Sequence, residues 1–208
     1  MNLLTPTIAS KLLAYLVMPV LLVGALVISS RAEVVYTPVH VSIPINQSYN
    51  VDLNADGVTD FTLTSKYIEA SCQSGDKYVW TLTVASASGN SVVVDPTHAG
   101  SSNAAALPAG VAVNSSQVFY PGLTTMAGLY WGDCGTGTLG EWLNIPTRYL
   151  GLQFRDAGGN THYGWMQAST TAYVDQYGYL HASTFVSGYA YETIPGQTIL
   201  TGQMSDEP

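Results

Sequence analysis

Oxygen-bearing side chains recur at alternate positions in the run Asp52-Leu-Asn54-Ala-Asp56-Gly57-Val58-Thr-Asp60, with glycine directly after the third. This D-x-[DN]-x-[DN]-G spacing matches the core of a calcium-binding loop. Alternation turns Asp52, Asn54 and Asp56 toward one centre as the chain curls. Gly57 permits the sharp turn, and the Val58 carbonyl supplies the next oxygen. Asp60 completes the expected ligand set. Carboxylate and amide oxygens are hard donors, which suit Ca²⁺ better than a transition metal. Three carboxylates this close in sequence would repel one another without a cation. An ordinary Asp/Asn-rich turn between two strands is the other reading of the same residues.

The run resembles the calcium loops of EF-hands, dockerins and thrombospondin type 3 repeats. It departs from the EF-hand at the twelfth loop position, where Leu63 stands in place of the bidentate glutamate. The following Phe61-Thr-Leu-Thr64 reads as a strand, not an exiting helix. The resemblance therefore implies a stabilising ion and no regulatory switch, held at about 10⁻⁴–10⁻³ M as in extracellular modules. Further along stand Tyr149-Leu-Gly-Leu-Gln-Phe154, His162-Tyr-Gly-Trp-Met-Gln167, Gly188-Tyr-Ala-Tyr-Glu192 and Ile194-Pro-Gly-Gln197. Together with the Asp-rich strand opening, this pattern is similar to uncharacterised secreted bacterial β-rich proteins. That likeness implies a β-rich exported chain and brings no reaction with it.

Other chemistry-bearing residues form weaker constellations. Glu141 or Asp133 with Glu192 would supply the two carboxylates of a glycosidase, yet spacing alone does not bring two acids to the required separation. His98 lies near Asp95, but no Gly-x-Ser-x-Gly elbow accompanies them. His162 and His181 occupy strand-like patterns and match no metal-ligand spacing. Tyr130, Trp131 and Trp142 flank the Gly-rich stretch beside Cys134. Exposed, they would stack on sugar rings; buried, they would pack a core.

Composition limits the partners. The chain opens with a polar stretch and an apolar run from Leu12 to Ile28, followed by Ser30-Arg31-Ala32. Small residues at Ser30 and Ala32 fit the rule for signal-peptide cleavage, so residues 1–32 are expected to be removed and 33–208 to form one domain. An uncleaved anchor is the alternative, although Pro19 and Gly24 interrupt the run. After the cut, fourteen acids face only Lys66, Lys77, Arg148 and Arg155, a formal charge of −10. Such a surface lacks the basic footprint for nucleic acid and suits anionic membranes poorly. Cys72 and Cys134, the only two cysteines, are expected to pair in an oxidising compartment.

The elements that must carry these residues are strands. Phe61, Leu63, Ser65 and Tyr67 alternate with Thr62, Thr64 and Lys66; Trp80, Leu82 and Val84 alternate with Thr81 and Thr83. Leu150, Leu152 and Phe154 repeat the period, and Tyr163 and Trp165 continue it after the Asp156–Asn160 turn. Turns are also predicted at Ser88-Gly-Asn90 and Gln176-Tyr-Gly178. The expected fold is all-β, an antiparallel sandwich of jelly-roll type. Thr97 through Gln117 reads as a long surface loop, with a short helix over Asn103–Leu107 as the alternative. In the segment 34–45, Pro38 and Pro44 remove donors from one side, which predicts an edge strand. Those prolines either block edge-to-edge aggregation or mark a strand that inserts into a second copy. The expected role is structural, adhesive or matrix-forming, outside the cell or on its surface and stabilised by calcium, with a self-assembling fibre subunit as one version. Glycan binding and glycoside hydrolysis are the alternatives.

Overall fold

The computed structural model describes residues 33–97 and 102–206, so the predicted signal peptide and His98 lie outside the described residues. Among the described residues the strands, in chain order, are β1 (Val34–Ile43), β2 (Gln47–Val51), β3 (Phe61–Cys72), β4 (Gly75–Ser86), β5 (Ser91–Val93), β6 (Ala112–Val113), β7 (Phe119–Tyr120), β8 (Leu123–Gly132), β9 (Gly137–Gly140), β10 (Ile145–Arg155), β11 (Thr161–Val174), β12 (Leu180–Glu192) and β13 (Ile199–Leu200). They form a six-stranded sheet in the order β1-β12-β11-β10-β5-β7 and a five-stranded sheet in the order β2-β3-β4-β8-β9. Every strand pairing is antiparallel. The fold is the expected β-sandwich, assembled largely from meanders. No helix among the described residues is long and apolar enough to cross a membrane.

The two sheets face each other across one core. Phe61, Leu63, Trp80, Leu82 and Val84 come from the smaller sheet; Leu150, Leu152, Phe154, Met166 and Val186 come from the larger. The predicted alternation holds here, since Phe61, Leu63 and Ser65 are buried while Lys66 is exposed. Trp80 seals its polar edge by donating from Nε1 to Ser65 Oγ at 3.0 Å. Burying the indole nitrogen with an acceptor avoids the cost of an unpaired donor.

A second core lies on the opposite face of the larger sheet. It contains Val34, Val113, Tyr149, Tyr163, Trp165, Ala190 and Ile199. Tyr163 and Trp165 thus do not continue the face of Leu150, Leu152 and Phe154, as the pairings Gly151↔Trp165 and Leu152↔Gly164 show. The cover over this face includes the paired β6 and β13 and part of the segment expected to be a surface loop. That expectation is corrected: Ala104 and Ala105 are buried, and Val94, Thr125 and Tyr149 form bridges to Ala104, Asn103 and Leu107. Residues 102–107 are extended and buried or half-buried, with no helix, whereas 108–110 and 115–116 are exposed as expected of a surface loop. Ala104 and Ala105 are small where the two cores close around them.

Register shifts mark where the second core ends. Gln167 pairs with Gly188 but Ala168 pairs with Val186, leaving Ser187 as the extra residue of β12. β1 shifts at the same level, between Pro38 and Val41. On one side of this line β11 is buried on both faces from His162 to Met166; beyond it Ala168, Thr170 and Ala172 are buried while Thr171 and Tyr173 are exposed. The extra residue reverses the in-out phase of β12, where Val186 and Tyr189 both reach the inner core, whereas β11 keeps its phase and is exposed on its outer face where the second core ends. β1 lies at an edge of the larger sheet, as its prolines predict.

Candidate metal centre

The Asp52–Asp60 run connects β2 to β3, whose last and first residues, Val51 and Phe61, are paired. Its base is closed by Asp60 N–H donating to the Val51 carbonyl at 2.8 Å. Between them the chain curls through two left-handed residues, Ala55 (φ 57°) and Gly57 (φ 87°). Glycine adopts that conformation without the Cβ clash, which explains position 57; Ala55 bears the clash. The curl turns amide hydrogens inward onto the loop oxygens. Asp52 accepts from Asp56 N–H at 3.2 Å and from Gly57 N–H at 2.7 Å. Asn54 Oδ1 lies 3.3 Å from the same Asp56 nitrogen. Asp56 accepts from Val58 N–H at 2.8 Å and from the Asn54 amide at 3.0 Å.

Asp52, Asn54 and Asp56 therefore share one small neighbourhood, as the spacing predicts. Asp60 is held differently. It is 5 % exposed. Its Oδ2 accepts from Leu53 N–H at 2.8 Å and its Oδ1 from Asn90 Nδ2 at 3.0 Å. Burial pushes the Asp60 carboxyl above its ordinary range; those two hydrogen bonds pull it down, and Asp56 and Asp52 push it up again. Among the described residues no three His, Cys, Asp or Glu side chains are arranged to hold a metal ion. The side-chain oxygens of Asp52, Asn54 and Asp56 lie at the curl of the loop, and Asp60 braces it from behind. Val58 itself is exposed.

Beside the loop is a cleft of about 210 Å³ lined by Asn54, Phe154, Asp156, His162, Tyr191 and Thr193. His162 is buried, with Nδ1 2.9 Å from the Glu192 carbonyl and Nε2 3.2 Å from Asp156 Oδ2. Both partners are acceptors, so a ring nitrogen that carries hydrogen donates to its partner. The side-chain and backbone donors of Asn160 hold the Asp156 carboxyl down to about 2, helped by His162. The same device closes the other end of β11. Asp175 accepts from Tyr177 and Tyr179 N–H, each at 2.9 Å, and faces His181 Nε2 at 3.0 Å. His181, followed by the two backbone donors, lowers the Asp175 carboxyl. The six-residue interval from Asp to His is visible twice in the sequence and was the signal available for these pairs.

The remaining candidates separate. Cys72 and Cys134 form a disulfide with Cα atoms 6.4 Å apart, linking the β3–β4 turn to the segment after β8. Trp142 is 0 % exposed and donates to the Ala104 carbonyl at 3.1 Å, which leaves no ring face for a sugar. Trp131 is 8 % exposed, between Tyr67 and Tyr78 at ring separations of 6.0 and 5.7 Å. Tyr130 is half-buried under Lys77. Among the described residues the aromatic rings open to solvent are elsewhere: Tyr120, Tyr173, Tyr177, Tyr179 and Phe185. Glu141 accepts from Ala106 N–H, Asp133 from Asp76 N–H and Glu192 from Ile194 N–H, three separate hydrogen-bond sets. Asn90, which orients Asp60 from thirty residues away, had no sequence signal. Set against family models, curated proteins and solved structures, the chain matches none.

Proposed function

We propose that the chain is an exported or cell-surface β-sandwich with a structural, adhesive or matrix role, stabilised by one calcium ion in the Asp52–Asp60 loop. The observation that carries this reading is the convergence of Asp52 and Asn54 oxygens on a single backbone nitrogen, with Asp56 alongside. Ca²⁺ would take oxygens from Asp52, Asn54, Asp56 and the Val58 carbonyl, with Asp60 completing or bracing the set. Asp56 would exchange its bond from the Asn54 amide for the ion, and Asn54 would present its carbonyl oxygen. The ion would relieve the repulsion among the loop acids and fix the start of β3. The disulfide supports export, because such bonds persist in oxidising compartments. The outer side of β1 supports the fibre-subunit version, and monodisperse particles in electron microscopy at every calcium concentration would remove it.

Thermal unfolding in millimolar calcium and in chelator tests the central claim. A ligand bound only by the folded form stabilises it by about 2.7 kcal/mol at a hundredfold excess over Kd. Calcium is expected to raise the midpoint, and Asp52→Ala to abolish the rise. An unchanged midpoint at saturating calcium would defeat the reading.

A second reading rests on a specific face. Beyond the bulge line the outer side of β1, β11 and β12 exposes His40, Phe185, Tyr173 and His181, with Tyr177 and Tyr179 at the adjoining turn. Tyr173 and His181 stack at 4.8 Å, and His40 meets Phe185 edge-on at 6.2 Å. Aromatic faces among Ser and Thr hydroxyls suit a neutral glycan. A glycan array that gives hits lost in Tyr177→Ala and Tyr179→Ala would favour it; an array without hits would remove it.

A further inference from the structure

Glu192, at the end of β12, is 2 % exposed, and no Lys or Arg among the described residues pairs with it. Its Oε1 accepts from Ile194 N–H at 2.9 Å and from the backbone nitrogen of Glu33 at 3.3 Å. The same Glu33 nitrogen stands 3.2 Å from Thr193 Oγ1. A peptide nitrogen has one hydrogen to offer, yet two acceptors converge on this one. Residue 33 is also the first after Ser30-Arg31-Ala32, the small-residue pattern expected to mark cleavage. We propose that hydrolysis of the Ala32–Glu33 bond is a maturation step, which places a new α-ammonium against the buried Glu192 carboxylate and locks the start of β1 onto β12. The inference rests on the export reading above.

The chemistry balances with water alone. Water adds to the Ala32 carbonyl carbon and the C–N bond breaks. Ala32 departs as a carboxylate, and the Glu33 nitrogen takes up protons to become an ammonium with three donors. The catalyst is an export-associated endopeptidase that selects small residues at the first and third positions before the cut. The groups facing the new cation are mostly acidic. Glu192 approaches from β12, Glu33 carries its own carboxylate, and Asp206 accepts from Val34 N–H at 2.9 Å. Tyr191 stands near, its phenol raised by burial and then by Glu33. His162 Nδ1 faces the Glu192 carbonyl. Before cleavage these acids surround a neutral amide; afterwards they surround a positive charge.

An ammonium stabilised by such neighbours titrates above its ordinary value. Its contribution is therefore complete below about pH 8 and disappears as pH rises through the raised value. The full chain is expressed in an exporting bacterial host, and the exported product is sequenced from its N-terminus. The pH dependence of acetylation of its α-amine is then followed by mass spectrometry. The expected product begins at Glu33, and its amine titrates at about 9 or above, where an unperturbed one titrates near 8. Glu192→Gln should return it to the ordinary value. Should that variant fail to fold, a chain with one alanine retained before Glu33 provides the comparison, with a lower thermal midpoint at pH 7 and an equal one at pH 10. A Glu33 start with an ordinary amine overturns the pairing alone. A different start overturns the maturation site, and a chain kept uncleaved inside the host overturns the export reading as well.

Discussion

Burial holds the Asp60 carboxyl above the usual carboxylate range more strongly than Leu53 N–H and the Asn90 amide can lower it. A raised carboxylate binds its proton more readily in the folded state, so Asp60 opposes folding at neutral pH. The penalty lifts as pH falls through the raised value. Each unit of elevation corresponds to about 1.4 kcal/mol. Asp156 and Asp175 act with the opposite sign. Their lowered carboxyls stabilise the fold above the ordinary range, and Asp156 loses that contribution only as pH falls toward about 2. The calcium-free protein should therefore gain thermal stability when acidified from pH 7 into the raised-carboxyl range, then lose it at lower pH. Bound calcium should suppress the gain, because a cation beside Asp52 and Asp56 favours the ionised forms. Midpoints measured from pH 7 to pH 2 in calcium and in chelator would check both limbs.

At the level of elements, the loop is seated by Leu53, which is buried and reaches the larger sheet opposite Gly164. A Cβ at position 164 would lie 2.6 Å from the Ala190 carbonyl oxygen and 2.9 Å from Leu53 Cδ2. Gly164→Ala should thus cost about 1–3 kcal/mol in urea unfolding and weaken calcium binding, since the crowded Leu53 carries the loop with it. Adding Leu53→Ala should restore little stability, as the carbonyl overlap remains. Much of this level was legible in the sequence. The alternation of Phe61-Leu63-Ser65 and Trp80-Leu82-Val84 predicted the facing strands, and the Asp-rich spacing predicted the curl between β2 and β3. Three features were hidden for physical reasons. A strand buried on both faces loses its polar-apolar period, so Tyr163 and Trp165 resembled more of the same face. The Ala- and Gly-rich segment before Gln117 resembled a loop because small residues suit both exposed turns and close-packed layers. The partners of Asp60 were invisible, since Asn90 meets it only through the fold.

Across the molecule, the Cys72–Cys134 bond ties the end of the β3–β4 hairpin to the chain leaving β8, closing 62 residues. Loop-closure entropy values such a link at about 4 kcal/mol. Cys72 is exposed, so mild reductant should reach it and lower the midpoint of urea unfolding, with the Cys72→Ser, Cys134→Ser chain reproducing the shift. Only a small change on reduction would mean that the two sheets already restrain this end. The bulge line across the larger sheet divides the molecule in another way. One side of it lies between two cores, and the other has a single core beneath it. Backbone amides within one continuous strand should therefore exchange with deuterium at unequal rates. In β11, those from Tyr163 to Met166 should persist until global unfolding, while those from Ser169 to Val174 should be replaced by smaller openings that leave the rest of the strand in place.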